Sequence, residues 1–368
     1  MSKRLRLIAA GLGLLAWLPL ASALDLSRLQ LPPGFHISLY AEQLPDARQL
    51  ALGARGTLFV GTREAGRVYA AVDANHDNVA ERVSTIAEGL PMPSGVAFRD
   101  GALFVAARDR VLRYVDIESR LDAPPAPQQV VGGLPKADHH GWKFIAFGPD
   151  GALYVPIGAP CNICAPDFPF ASILQVPTQG GKVSAYARGV RNSVGFDWHP
   201  ITGELWFSDN GRDMLGDDRP PDEINRVSKA GQHFGYPHVH GGEILDAEFG
   251  AGHRVDEFTP PAIKLGAHVA PVGIAFYRGD MFPPAYRNAL LVAEHGSWNR
   301  SRKSGYRVMV ATLEDDGSVI SYEPFITGWL QGEENWGRPV AFATLPDGSL
   351  LVSDDQAGVV YRVTYQKP

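Results

Sequence analysis

Apolar and polar positions alternate along this chain in short runs, each closed after a few residues by glycine, proline or aspartate. Leu50–Val60 (LALGARGTLFV) reads as strand, turn, strand, and the GTREAGRVYAA behind it supplies a third strand. The same unit returns at Val96–Val105 (VAFRDGALFV, then AARDRVLRYVDI) and at Ile145–Val155 (IAFGPDGALYV). It returns again at Val194–Phe207 (VGFDWHPITGELWF, then SDNGRD and EINRVSK) and at Ile274–Val292 (IAFYRGDMFPPAYRNALLV, then RVMVATL). The last copy is Ala341–Val352 (AFATLPDGSLLV, then SDDQAGVVYRVTY). Period-two alternation bounded by turn residues marks strands, and a repeat of roughly 40–50 residues marks a radial array. The units begin at 50, 96, 145, 194, 274 and 341, and the two wide spacings leave room for insertions after units four and five. The prediction is an all-β fold, a six-bladed β-propeller, in which radial repetition protects the sheet edges. A β-sandwich of fewer, longer strands is the alternative.

Composition refines this reading at two points. The 40 glycines and 29 prolines are spread along the chain, as a turn-dense fold requires. A formal charge of −6 without long basic runs argues against nucleic acid or an anionic membrane as the partner. The first residues stand apart: Lys3, Arg4 and Arg6 precede an apolar run, Leu7–Leu20, and then Ala21-Ser22-Ala23. That is the pattern of a secretory signal cut after Ala23. The run is shorter than the roughly 20 residues that span a bilayer, and no other stretch is apolar enough. The expectation is a signal peptide at 1–23 and one propeller domain at 24–368, periplasmic or secreted and not membrane-spanning.

In a propeller the first strand of every blade begins near one mouth of the central channel, so polar residues just before those strands converge. This rule gathers Gln49 from blade one, His139, His140 and Lys143 from blade three, Arg191 and Asn192 from blade four, and Arg338 from blade six. Imidazole, guanidinium and amide groups around one axis suit a planar polyanion and the movement of a proton. Cys161 and Cys164, spaced C-x-x-C in an exported chain, are expected to form a disulfide stiffening the loop beside this mouth. The absence of C-x-x-C-H leaves no built-in c-type haem. Asp73, Asn75 and Asp77 alternate like the start of a calcium loop. Asn78 and Ser84 replace that loop's usual glycine and closing glutamate, which leaves a solvated turn as the other reading. Asp222-Glu223-Ile224-Asn225 is expected to bond loop backbone between blades, and Trp206 and Tyr306 to fill inter-blade core.

Five segments taken in order, HHGWKFIAFGPDGALYV, RGVRNSVGFDWHP, GELWFSDNGRD with DEINRV, HFGYPH, and GRPVAFATLPDGSLLVSDD, carry a family likeness. The chain resembles the soluble PQQ-dependent glucose/sorbosone dehydrogenase (aldose sugar dehydrogenase) family over essentially Leu31 to Tyr365. The resemblance implies a six-bladed propeller that binds pyrroloquinoline quinone and Ca2+. By the family's motif His140 is the general base, with His139, after Asp138, the second candidate. Arg191 and Asn192 match the pair that contacts the quinone, and Arg338 matches an arginine for a cofactor carboxylate. The backbone carbonyls of Gly211 and Arg212 fall where the family holds its active-site calcium, with oxygen ligands suited to that ion. Val194 and Val340 stand where family members carry a glutamine and a second arginine. The family's blade-five lysine has no clear counterpart, Arg300 and Lys303 being the nearest cations. The implied function is oxidation of a sugar (aldose, sorbosone-like aldehyde or polyol), with electrons passed to an external acceptor, a cytochrome or the quinone pool. The rivals are a calcium-dependent lactonase-type hydrolase and a non-catalytic binding propeller.

Overall fold

The structure is a computed structural model that describes residues 24–178 and 182–367. The signal sequence expected at 1–23 lies outside the described residues. Among them, six antiparallel sheets follow one another around an axis, as the repeat predicts. Blade one runs Ala47–Leu52, Leu58–Thr62, Val68–Val72 and Arg82–Ala87 from the channel outward. Blade two begins with Gly95–Arg99, blade three with Ala146–Phe147, blade four with Phe196–Trp198, blade five with Pro271–Phe276 and blade six with Pro339–Thr344.

The second strand of each blade explains why the chain folds this way. Leu58–Thr62, Ala102–Ala107, Leu153–Ile157, Leu205–Asp209, Leu290–Glu294 and Leu350–Asp354 are buried at every residue. A strand sandwiched between neighbouring blades has no solvent face, so it reads as a continuous apolar run. Consecutive blades share one apolar cluster each: Phe59 and Val105 between one and two, Ile145 and Phe104 between two and three, Phe196 and Ile173 between three and four. Trp206 and Phe276 fill the gap between four and five, and Tyr306, Phe325 and Tyr361 that between five and six. Around the channel the innermost strands pass so close that a Cβ on Gly273 would fall on the Val340 carbonyl oxygen.

Two features differ from the sequence reading. The first insertion lies inside blade four, because residues 228–262 separate its third strand, Pro221–Val227, from its fourth, Ile263–Ala267. Within that insertion Gln232–His233 adds a parallel fifth strand to blade three. The ring is closed by a strand from the other end of the chain: Phe35–Ala41 pairs antiparallel with Val359–Tyr365 and completes blade six. Phe35 anchors this closure, its ring about 5 Å from those of Phe282, Tyr286, Phe325 and Tyr365. Phe35→Ala should therefore cost about 3–5 kcal/mol in urea unfolding, whereas His36→Ala, an exposed position on the same strand, should change stability by under ~0.5 kcal/mol.

Candidate functional site

The start of each first strand delivers side chains to one mouth of the channel, where a cavity of about 420 Å³ opens. Its wall carries four arginines (Arg48, Arg63, Arg191, Arg338) and four histidines (His139, His140, His268, His295), with Asp213, Asp222, Asn192, Asn299, Trp142 and Trp298 between them. The floor is apolar, formed by Val194, Ala270 and Val272, with Ala293, Val340 and Ala341 packed against the two valines.

His140 is buried, in a left-handed backbone conformation (φ 50°) at the mouth of blade three. Its Nδ1 lies 2.9 Å from the Ala159 carbonyl oxygen. A carbonyl only accepts, so Nδ1 carries the proton and Nε2 is the basic nitrogen of the neutral ring. Burial, then the positive charge of Arg191 and the neighbouring His139, hold the imidazole well below its ordinary pKa. The His139 ring leans over it, centroids 4.0 Å apart. A Cβ on Gly158 would meet His140 Cβ at 2.5 Å, so only glycine lets that strand pass beneath the ring.

Arg191 and Asn192 are placed by a buried carboxylate. Asp209, at the tip of blade four's second strand, accepts their backbone N–H groups at 2.9 and 2.6 Å. The Arg191 guanidinium then bonds the Asn162 carbonyl (2.9 Å), Asn162 Oδ1 (2.8 Å), the Asn210 carbonyl (3.0 Å) and Asp213 Oδ2 (2.8 Å). Four of its five N–H donors are thereby engaged. It locks the loop of Cys161 and Cys164, which are joined as a disulfide, onto the rim. Blade six repeats the device: Asp354 accepts the Arg338 N–H at 2.9 Å, and the Arg338 side chain bonds the His295 and Gly296 carbonyls at 3.0 and 2.8 Å. Beside it, Asp355 takes His295 Nε2 (2.9 Å) and Arg48 Nη1 (2.6 Å). Burial pushes the His295 imidazole down to about 4 despite the carboxylate. Asp222 accepts the Gly211 and Ala270 N–H groups at 2.7 and 2.8 Å, and burial lifts its carboxyl to about 6.

A family model described as glucose/sorbosone dehydrogenase matches residues 164–296, and one described as TrAA12-like matches 252–366. An uncharacterized protein of Borreliella burgdorferi is 35% identical over 357 residues, covering 93% of this chain and 92% of its own. The glucose/sorbosone dehydrogenase match covers about a third of the chain and agrees with the resemblance its motifs carry. The chain's fold is shared with a Trichoderma reesei carbohydrate-active enzyme of family AA12 (TM-score 0.79, 18% identity, 92% of this chain and 98% of that one). It is shared also with the PQQ domain of a Coprinopsis cinerea pyranose dehydrogenase in its holo form (0.74, 18%, 91% and 97%) and with a PQQ-bound aldose sugar dehydrogenase of Streptomyces coelicolor (0.65, 21%, 92% and 100%).

Of the residues the family likeness and the strand-start rule select, His139, His140, Arg191, Asn192, Gly211 and Arg338 line this one cavity. Gln49 and Lys143 do not. Gln49 is a tie between blades: it donates to the Ile145 carbonyl (2.7 Å) and accepts the Val96 and Ile145 N–H groups (3.1 and 3.0 Å). Lys143 is buried with its Nζ on the Gly141 carbonyl, 2.6 Å away. Their immediate neighbours, Arg48 and Trp142, line the cavity instead. The Arg212 guanidinium turns away to pair with Asp246. Arg300 bonds the carbonyls of Asp217 and Ala267, and Lys303 bonds Asn335 Oδ1, so neither reaches the wall. Asp222 and Glu223 bond loop backbone, the latter to the Gly241 N–H at 2.7 Å, as expected of that segment. Remote from the cavity, Asp73, Asp77 and Glu81 bring carboxylate oxygens within 4.8 Å of one another, while Asn75 Oδ1 accepts the Asp77 N–H. The sequence reading missed Arg48, Arg63, His268 and His295. The last lies in residues 293–300 (AEHGSWNR), behind the second strand of blade five, where the resemblance implied a lysine.

Burial pushes the Lys143 amine down to about 7, with Arg108 adding to the effect. An unfolded lysine titrates near 10.4, so between about pH 7 and 10 the unfolded chain holds a proton that the native state does not, and stability gained from this residue rises with pH. In urea melts at pH 7.5 and 9.5, the advantage of Lys143→Met over wild type should shrink as pH rises. Parallel curves would mean the amine is already charged when buried.

Proposed function

We propose that this protein is an exported sugar dehydrogenase with His140 as general base, using pyrroloquinoline quinone and Ca2+. The observation that carries the reading is one buried, neutral imidazole whose basic Nε2 shares a cavity wall with four arginines. The family, and fold relatives described as PQQ enzymes, support the cofactor. The residues present fit such a group: an apolar floor suits a flat ring system, and the guanidinium groups suit its carboxylates. Among the described residues, the carbonyls of Gly211 and Arg212 accept no hydrogen bond within the protein, so they are available to a hard cation. When bound, the quinone would supply the acceptor for a hydride, with the metal polarising its oxygen.

The chain's own residues would do the rest. Nε2 of His140 takes the proton of the substrate hydroxyl as hydride leaves the same carbon, and the Ala159 carbonyl keeps the ring in that tautomer. Asn192, whose carboxamide has no hydrogen-bond partner among the described residues, lines the cavity and is free to orient the hydroxyl. Electrons then pass to an external cytochrome or quinone pool. Among the described residues no helix is long and apolar enough to cross a membrane. Export rests on residues 1–23, and an intact mass beginning at Leu24 would support it. The hydrolase rival needs free carboxylate ligands, and Asp213 and Asp222 already spend both oxygens on protein donors.

The deciding experiment reconstitutes the purified protein with Ca2+ and pyrroloquinoline quinone and follows dye reduction over a panel of aldoses, sugar aldehydes and polyols. Turnover is expected with at least one class, and His140→Ala should lower kcat about 10²- to 10⁴-fold while keeping quinone affinity. Absence of quinone binding by the wild type would reject the reading, and an unimpaired His140→Ala would reject the base.

A further inference from the structure

We propose that Arg63, braced on Trp142, is an anion anchor contributed by blade one, positioned to take a carboxylate of a planar aromatic ligand. The ligand class rests on the quinone reading above, while the anchor itself rests on how this wall is wired. Arg63 follows the second strand of blade one, and its backbone N–H is fixed by Asp46 Oδ2 at 2.7 Å. Its guanidinium lies over the Trp142 ring, 4.0 Å from the centroid, and both side chains line the cavity. This stacking fixes the planar fork without using its in-plane N–H groups.

The other arginines of the wall are committed elsewhere. Arg48 is neutralised by Asp355, Arg191 spends four N–H groups on the disulfide and 210–213 loops, and Arg338 is bonded to two carbonyls. Arg63 differs, since its side chain donates no hydrogen bond within the described residues. Its Nε is buried without a partner, its two terminal nitrogens are not among the buried unpartnered atoms, and the residue lines the cavity. The nearest carboxylate, Glu64, sits 3.0 Å from Nε but out of line, and its side chain is 70% exposed, a geometry that contributes little. Arg48 adds like charge beside it. Glu64, Asp46 and Asp355 place negative charge near it, yet within the described residues none accepts a hydrogen bond from its fork, which is left for an anion in the cavity.

The test measures binding rather than turnover. Calcium-loaded wild type, Arg63→Met, Arg63→Lys and, as a control, Arg28→Met at the remote Trp336 stack are titrated by calorimetry. The two probes are pyrroloquinoline quinone and benzene-1,3,5-tricarboxylate. Arg63→Met should weaken the quinone roughly 10- to 100-fold, the range for one charge-assisted hydrogen bond. Arg63→Lys should recover part of that loss, and Arg28→Met should change nothing. The ligand-free melting temperature of Arg63→Met should stay nearly level, since the substitution breaks no side-chain hydrogen bond and removes a buried, unpartnered Nε. Equal quinone affinity in wild type and Arg63→Met overturns the anchor and leaves the quinone reading standing. Arg63-dependent binding of the tricarboxylate alone upholds the anchor and overturns the quinone reading. If wild type binds neither probe, both fall.

Discussion

Buried carboxylates at the tips of the second strands hold the channel mouth in shape. Asp209 and Asp354 each accept the backbone N–H of an arginine in the segment leading into their own blade's first strand, Arg191 in one case and Arg338 in the other. Those amides lie beyond the reach of the sheet ladder and would otherwise be orphaned in a dry site, at a cost comparable to a lost hydrogen bond. Burial raises both carboxyls, Asp209 well above the usual range and Asp354 to about 6, and the converging donors offset that penalty. One constraint thus sets the direction in which two cations leave the backbone. Serines do the corresponding work between blades: Ser208 reaches the Val272 carbonyl and Ser353 the Arg48 carbonyl, each at 2.7 Å.

The mouth so built is electrostatically uneven. Positive charge is concentrated on its wall, yet three of its arginines are bonded inward, and burial holds the imidazoles of His139, His140 and His295 below their ordinary pKa. A cavity that holds cations while keeping His140 neutral can bind an anion and still offer a base. That combination separates His140, whose free nitrogen faces the cavity, from His295, whose Nε2 is spent on Asp355.

The propeller was legible because its determinants are local and repeated. Turn residues close each alternating run, and the second strands are apolar at nearly every position. The closing strand was not legible as part of blade six, since nothing in FHISLYA announces a partner some 320 residues away. At the site, His139, His140, Arg191, Asn192 and Arg338 follow from the rule that first strands begin at one mouth. Gln49 and Lys143 fail by a single residue each. A strand register off by one exchanges its two faces, and an irregularity between Ala47 and Leu50 displaces the pattern in blade one. Arg63 and His295 come from loops after second strands, outside the rule altogether.

The central claim is that the channel presents a neutral imidazole with its free nitrogen toward substrate. Nitrogen NMR of histidine-labelled protein, with His140→Asn identifying the signal, tests this directly. The account predicts a protonated Nδ1 and a bare Nε2 from pH 8 down to pH 6 and below, because the pKa lies well under the ordinary 6.5. A ring that titrates near 6.5, or one that carries its proton on Nε2 at pH 8, would contradict it.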